Sequence, residues 1–292
     1  MSTTNPTAHA ELPDAPAGTR AKARKHRRWR SPATILSLII LAIAALWAIM
    51  PGVFAPKDPY ESLDVALLAP SAEYLFGTDA VGRDLFSRVV YGARQSLLGA
   101  LIAVIVGLVL GTLIGLIAGT QRGWVETVLM RLVDVLLAIP GILLSLSIII
   151  VTGFGSLQAA FAVGMTSVAT FARLARSQVI QIAGADFVEA AYGSGATQAQ
   201  VLFRHVLPNS LTPVLALAAL QFGTAILQLS ILGFLGYGAP PPVPEWGLLI
   251  AEGRDFMATA WWLILLPGLA IAATVMSTNH LSQVIQQEGD SL

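Results

Sequence analysis

The sequence predicts an all-α polytopic membrane protein with six transmembrane helices, on three observations. Of 292 residues, 55% are hydrophobic and 12% are charged, with a mean hydropathy of +0.72; a soluble domain carries about a quarter charged residues. Six apolar stretches approach or reach the roughly 20 helical residues that cross a bilayer. Seven basic residues, Arg20, Lys22, Arg24, Lys25, Arg27, Arg28 and Arg30, stand directly before the first stretch. One globule of this length cannot hide so much apolar surface, so lipid is the solvent that suits the composition.

Residues 1–31 read as a disordered basic tail, its first part rich in Thr, Ala and Pro with little to bury. Residues 32–292 read as one membrane-embedded domain. The run from Ala33 to Met50 starts too late and is too long for the apolar core of a signal peptide. It is the first span. The others run from about Ser96 to Ala118, Leu132 to Val151, Leu157 to Phe171, Leu211 to Leu235 and Trp261 to Met276. The fourth is the shortest, and is rich in Ala, Gly and Thr rather than Leu.

Basic residues set the orientation. The cluster before the first span places the N-terminus in the cytoplasm, and six crossings return the C-terminus there. The inner loop between the second and third spans carries Arg122 and, at its far edge, Arg131, and the one between the fourth and fifth carries Arg173, Arg176 and Arg204. The first external loop holds Lys57, Arg83, Arg88 and Arg94, with Asp58, Glu61, Asp64, Glu73, Asp79 and Asp84. It is a mild exception, outweighed by the N-terminal cluster. That cluster's position against an apolar run favours a membrane surface over nucleic acid.

In the second span Gly99, Ala103, Gly107, Gly111, Gly115 and Gly119 recur every four residues. Small residues at this spacing let helix backbones approach closely. Ordinary packing accounts for the stripe, with a sliding contact in a moving bundle as the alternative. Arg131 and Asp134, at i and i+3, are placed to pair on one helix face. Pro140 predicts a kink in the third span.

Several chemistries lack their residues. There is no cysteine, hence no disulfide or thiolate site. The lysines are Lys22, Lys25 and Lys57, none after a glycine, so there is no phosphate-binding P-loop. The histidines His9, His26, His205 and His280 form no metal-ligand spacing. No catalytic residue and no metal site is expected.

The stretch between the fourth and fifth spans is the informative one. Asp186 is placed to cap a short helix to about Tyr192, and Gly193 and Gly195 break it. Thr197 with Gln200 forms a capping-box pattern that opens a second helix, which Pro208 should end near Val206. The result is a helix–turn–helix too polar to span and too short to fold alone. It is either a docking element or a connecting loop.

Glu189-Ala190-Ala191, Gly195 six residues after the glutamate, and Leu207-Pro208 beyond it resemble the EAA loop of ABC importer permeases. The stretch from Phe76 to Leu97, with Gly77, Thr78, Asp79, Gly82, Arg83 and Asp84, is similar to the segment before the second span in the C-type permease of dipeptide, oligopeptide and nickel importers. The stretch from Phe234 to Gly247 resembles the external segment after the fifth span of the same proteins. Gly233 departs from the Ser usual there.

The resemblance implies the type I importer permease fold and one half of a translocation pathway for peptides or a similar small solute, such as a nickel complex or an opine. It implies a prokaryotic cell-membrane location and no enzymatic activity or cofactor of the chain's own. A homologous permease would pair with it as a heterodimer. Two ABC ATPase subunits would hold ATP and Mg and meet the loop of Glu189 to Gly195, with Arg204 and His205 at its edge. A solute-binding protein would dock outside. From the residues alone, Asp79, Arg83, Asp84 and Arg88 form an ion-pair network. Pro240, Pro241, Pro242 and Pro244 stiffen 236–247 into an extended form, and Trp246 suits the membrane interface. Both segments are compatible with partner contact, with lining an outer mouth, or with an inert lid. A passive channel or gradient-coupled carrier is contradicted only by the hairpin, and a membrane hydrolase by the missing polar pair within the bilayer.

Overall fold

The computed structural model describes residues 31–289, apart from 63, 64 and 122. The basic cluster at Arg20–Arg30, Asp64, Arg122 and all of the expected tail but Ser31 therefore lie outside the described residues. Within them the chain is helical, and the sole β-bridge joins Thr78 and Asp84.

The main helices, in order, are α1 (Pro32–Ile49), α2 (Pro51–Phe54), α3 (Leu85–Thr120), α4 (Trp124–Ala138), α5 (Gly141–Thr152), α6 (Ser156–Ala183), α7 (Asp186–Gly193), α8 (Gln198–Val201), α9 (Leu207–Phe234), α10 (Trp246–Gly253) and α11 (Trp262–Gly289). Among the described residues five helical runs are long and apolar enough to cross a membrane: α1, α3, α6, the run Gln198–Phe234, and α11 to Gln286. The pair α4 and α5 passes the same test as one span, bent by 98°. Counted so, there are six crossings, as expected.

Helix α3 is the axis of the bundle and lies parallel along α6, residue numbers rising together from the Ala103–Gly164 contact to the Gly119–Val179 contact. The small-residue stripe faces that contact. A Cβ on Gly107 would stand 2.8 Å from the Ser167 Cβ; on Gly111, 2.5 Å from the Phe171 Cβ; on Gly115, 2.5 Å from the Ala172 carbonyl oxygen. Gly164 of α6 answers from the other side, 2.8 Å from the Ala103 carbonyl oxygen. Backbone against backbone is the gain that small residues bring where lipid supplies no hydrophobic drive between helices.

The same contact explains the fourth span. Helix α6 buries 56% of its apolar window inside the chain, against 17% for α1. Its Ala, Gly and Thr residues meet protein, so it has no need of Leu for lipid. It is also longer than the apolar run suggests, extending past Phe171 to carry Arg173 and Arg176. These bind Asp134 (2.7 Å) and Glu126 of α4, the latter from Arg176 Nε at 2.8 Å. The expected Arg131–Asp134 pair is thus corrected: Asp134 turns to α6, which packs beside it.

Two proline expectations are also corrected. Pro140 does not kink the third span but breaks it, with Ile139 and Pro140 both extended between α4 and α5. The residue before a proline is pushed out of the helical region, and Ile139 sits at φ −90°, ψ 129°. Pro208 does not end a helix. Leu202–Val206 forms a π turn in which the Leu207 N–H donates to the Leu202 carbonyl, and α9 follows directly. The wider turn spaces the preceding carbonyls away from the proline ring, so the helical run continues through Pro208.

Candidate functional site

The links between helices gather the loops at two ends. One end, the hairpin end, holds α7, α8 and the start of α4; the cap end holds residues 50–84 and 235–261.

At the hairpin end α7 begins at Asp186, with Ala185 rather than Asp186 at the N-cap. The Asp186 side chain does not cap; it and Glu189 place negative charge in the first turn, where the helix dipole favours it. Gly195 has φ +88°. The Ala196 N–H donates to the Ala191 carbonyl (3.1 Å) and the Gly195 N–H to that of Tyr192 (2.9 Å). This is a Schellman stop, which calls for glycine at that position. The capping box at Thr197 and Gln200 is present with both bonds.

Val188, Val201 and Val206 pack with Val179 of α6 in a small core of their own, against Leu116 and Ala191. That core seats the hairpin on the ends of α3 and α6. Glu189, Ala190, Gly195 and Pro208 are exposed, while Ala191 and Leu207 are half-buried. The six residues therefore divide between an outward set and an inward set. A Cβ on Gly195 meets nothing within 4 Å. Exposed Phe187, Tyr192 and Phe203 stand around the outward set. The sequence reading missed them, although three aromatics in a polar loop were a visible signal. His205 lies against Phe187, with ring centroids 6.4 Å apart.

At the cap end all six residues from Gly77 to Asp84 come together. Gly77 has φ +77°, and a Cβ there would meet the Leu68 carbonyl and Trp262 Nε1. Buried Thr78 donates from Oγ1 to the Val65 carbonyl and accepts from the Leu68 N–H, both at 2.8 Å. Asp79 Oδ1 accepts from the N–H groups of Val81 and Arg83 at 2.9 Å, and Oδ2 from Arg83 Nε at 2.6 Å. Gly82 completes the turn with φ +80°. Asp84 caps α3, accepting from the Ser87 N–H at 2.8 Å.

The expected ion network is corrected in membership. Asp84 serves as a cap instead, and Glu252 of α10 takes its place. The Arg88 side chain is fully buried, 2.9 Å from Glu252 and 3.5 Å from Asp79. Sequence spacing does not join residues 164 positions apart.

Trp246 is corrected too. It is fully buried, its Nε1 donating to the Val89 carbonyl at 2.9 Å and its backbone N–H to Ser96 Oγ at 3.2 Å. The stretch before it turns and bends rather than extending. Glu245 caps α10, with Oε1 accepting from the Gly247 N–H at 3.1 Å while buried Oε2 has no partner. Burial pushes its carboxyl up to about 7, against the opposing pull of the Gly247 and Leu248 amides. Its Oε2 fills the space a side chain at Gly233 would need, which accounts for glycine there. No group of three or more His, Cys, Asp or Glu suited to a metal occurs among the described residues.

Residues 111–287 match the profile of the binding-protein-dependent transport system inner membrane component family. The chain belongs to this family. It is a membrane-spanning permease subunit, and in such systems ATP is hydrolysed on separate subunits. The dipeptide transport system permease protein DppC of Alkalihalophilus pseudofirmus is 40% identical over 256 residues, covering 88% of this chain and 83% of the relative. The glutathione transport system permease protein GsiD of Shigella flexneri is 39% identical over 269 residues, covering 91% and 87%. In fold, the permease superimposes on a chain of the MetNI methionine ABC transporter with a TM-score of 0.54 at 16% identity, covering 68% of this chain and 96% of that one. The shared fold is that of type I ABC importer permeases, and the family works with a partner permease, an ATPase and a binding protein.

Proposed function

We propose that this permease forms half of the pathway of an ATP-driven importer for short peptides, as a heterodimer with a homologous permease. Two ATPase subunits grip the hairpin end, which faces the cytoplasm with both termini. A solute-binding protein docks at the cap end. The division at residue 31 separates a basic tail from the permease domain. The relatives are named for dipeptide and glutathione transport, which supports a small peptide over a nickel complex or an opine.

One observation carries the coupling role. Glu189, Ala190 and Gly195 stand exposed, amid exposed aromatics, on a hairpin seated by its own small core. Such a surface delivers force only if something rigid holds it. ATP-driven closure of the ATPase pair then favours one state of the spans over the other, as coupling requires.

The test is ATP-driven uptake of a dipeptide by the four-subunit complex with its solute-binding protein in proteoliposomes. Gly195→Trp places bulk where this chain has open space and should abolish uptake while the permease still inserts. Gly195→Asn, which tolerates the left-handed backbone, should transport normally and separates bulk from strain. Normal uptake by the Trp variant refutes the coupling role, and uptake driven by a gradient without ATP refutes the importer.

A further inference from the structure

Helix α9 carries Gln221, Thr224 and Gln228 at i, i+3 and i+7, which puts them on one face. Gln221 lies about 20 Å from either end of the helix at 1.5 Å per residue, at the middle of the span. Thr224 is exposed and both glutamines are half-exposed. Beyond its own helix, to which the Thr224 hydroxyl donates at 3.3 Å, none of the three has a hydrogen-bond partner among the described residues. Two amides and a hydroxyl presented to hydrocarbon each cost several kcal/mol, of order 4–8 in a medium that forms no hydrogen bonds.

A second observation falls at the same depth. The break between α4 and α5 leaves the last carbonyls of one helix and the first N–H groups of the other without helical partners. Ile139 and Pro140 are exposed at this break. Unwound backbone within a membrane is tolerated only when packed in protein or lining a wet cavity. The break also meets this face of α9: a Cβ on Gly141 would lie 3.5 Å from Gln228 Nε2 and 4.0 Å from Thr166 Oγ1 of α6.

We infer that Gln221, Thr224 and Gln228, with Thr166 and the open backbone at Ile139–Pro140, form a solute-contacting stretch of the pathway that recognises the amide groups of a peptide backbone. This rests on the importer reading and extends it to the mid-membrane contacts. The chemistry is uncharged, with donors and acceptors in the same side chains. A peptide unit presents one donor and one acceptor, which a glutamine amide can meet together. The two amides stand about 10 Å apart along the axis at that rise, the reach of about three extended residues. Among the described residues no charged side chain sits at this depth on this face of α9, so the peptide's termini are not what it holds.

The absence of cysteine in this chain makes the test direct. Thr224→Cys, Gln228→Cys and the lipid-facing control Ile39→Cys are assembled in the full complex. Each is exposed to a charged, water-soluble thiol reagent in proteoliposomes, with and without tri-alanine. Thr224→Cys and Gln228→Cys should react at least about tenfold faster than Ile39→Cys, and tri-alanine should slow them severalfold. Gln228→Leu should raise the half-saturating tri-alanine concentration by about tenfold, the size of one good hydrogen bond. Rates equal to the control, no protection by tri-alanine, or a ready disulfide to a matching cysteine in the partner permease each overturn the assignment, the last making the face an interface. No ATP-driven tri-alanine uptake by the unsubstituted complex would overturn the importer reading and the assignment with it; normal uptake with unreactive cysteines overturns the assignment alone.

Discussion

Arg88 of α3 and Glu252 of α10 are joined, Nη2 to Oε2, at 2.9 Å, with the guanidinium wholly withdrawn from solvent and the carboxylate a quarter exposed. Arg83 and Asp79 complete the group, Arg83 reaching Glu252 at 3.5 Å and Asp79 at 2.6 Å. Two cations thus face two anions, and the group ties the loop before α3 to the short helix after α9.

Removing Arg88 leaves Glu252 and Asp79 to share Arg83 alone, a loss below the roughly 3–5 kcal/mol of a buried pair broken outright. Arg88→Met should therefore lower the thermal unfolding temperature of the purified complex. Arg88→Lys should recover only part of the loss, because an ammonium is a single point charge that does not serve Glu252 and Asp79 in the planar way of a guanidinium.

The α3–α6 contact sets a second expectation. Gly111→Leu drives a side chain into Phe171 and the Val168 carbonyl, 2.6 Å from the new Cβ, and should destabilise by at least the 1–3 kcal/mol typical of overpacking. Gly268→Ala, with nothing within 4 Å of its Cβ, should be neutral or gain up to about 1 kcal/mol from helix propensity. Thermal unfolding of both variants, side by side, reads the difference.

Glu245 gives the permease a dependence on pH. Its folded pKa, about 7, lies above the ordinary 4.5, so the folded state holds the proton more tightly than the unfolded one. The stabilisation is complete below pH 4.5 and is lost as pH rises through 7, a change of at most roughly 3 kcal/mol at 1.36 kcal/mol per unit. Unfolding temperature should fall between pH 5.5 and pH 8 in the native protein. Glu245→Gln, which mimics the neutral acid, should remove that part of the slope.

The indole at Trp246 separates two effects. Trp246→Phe loses the bond to the Val89 carbonyl and leaves that acceptor buried, for about 1–3 kcal/mol. Trp246→Ala adds a cavity, for a total of about 3–5 kcal/mol. Unfolding of the two variants in the same detergent orders them.

Much of this architecture was legible in the residues. Apolar length located the crossings because lipid demands it, and the four-residue glycine stripe named the tight face of α3. The stop at Gly195 and the box at Thr197 and Gln200 were readable because capping is local. What escaped was nonlocal. Arg88 finds Glu252, and Asp134 finds Arg173, only once the helices are packed. Trp246 reads as an interfacial residue until α3 is known to lie beside it. Pro140 and Pro208 carry the same local chemistry, yet one opens the helix and the other is absorbed, because a π turn precedes only the second.

That π turn has a mechanical consequence. It welds the second helix of the hairpin to α9, so that one uninterrupted run reaches from Gln198 to Phe234. At 1.5 Å per residue this rod is about 55 Å long, and pivoting it by ten degrees about the hairpin swings its far tip through roughly 10 Å. A lever of this proportion turns a small displacement beside Ala190 into a large one next to Tyr237.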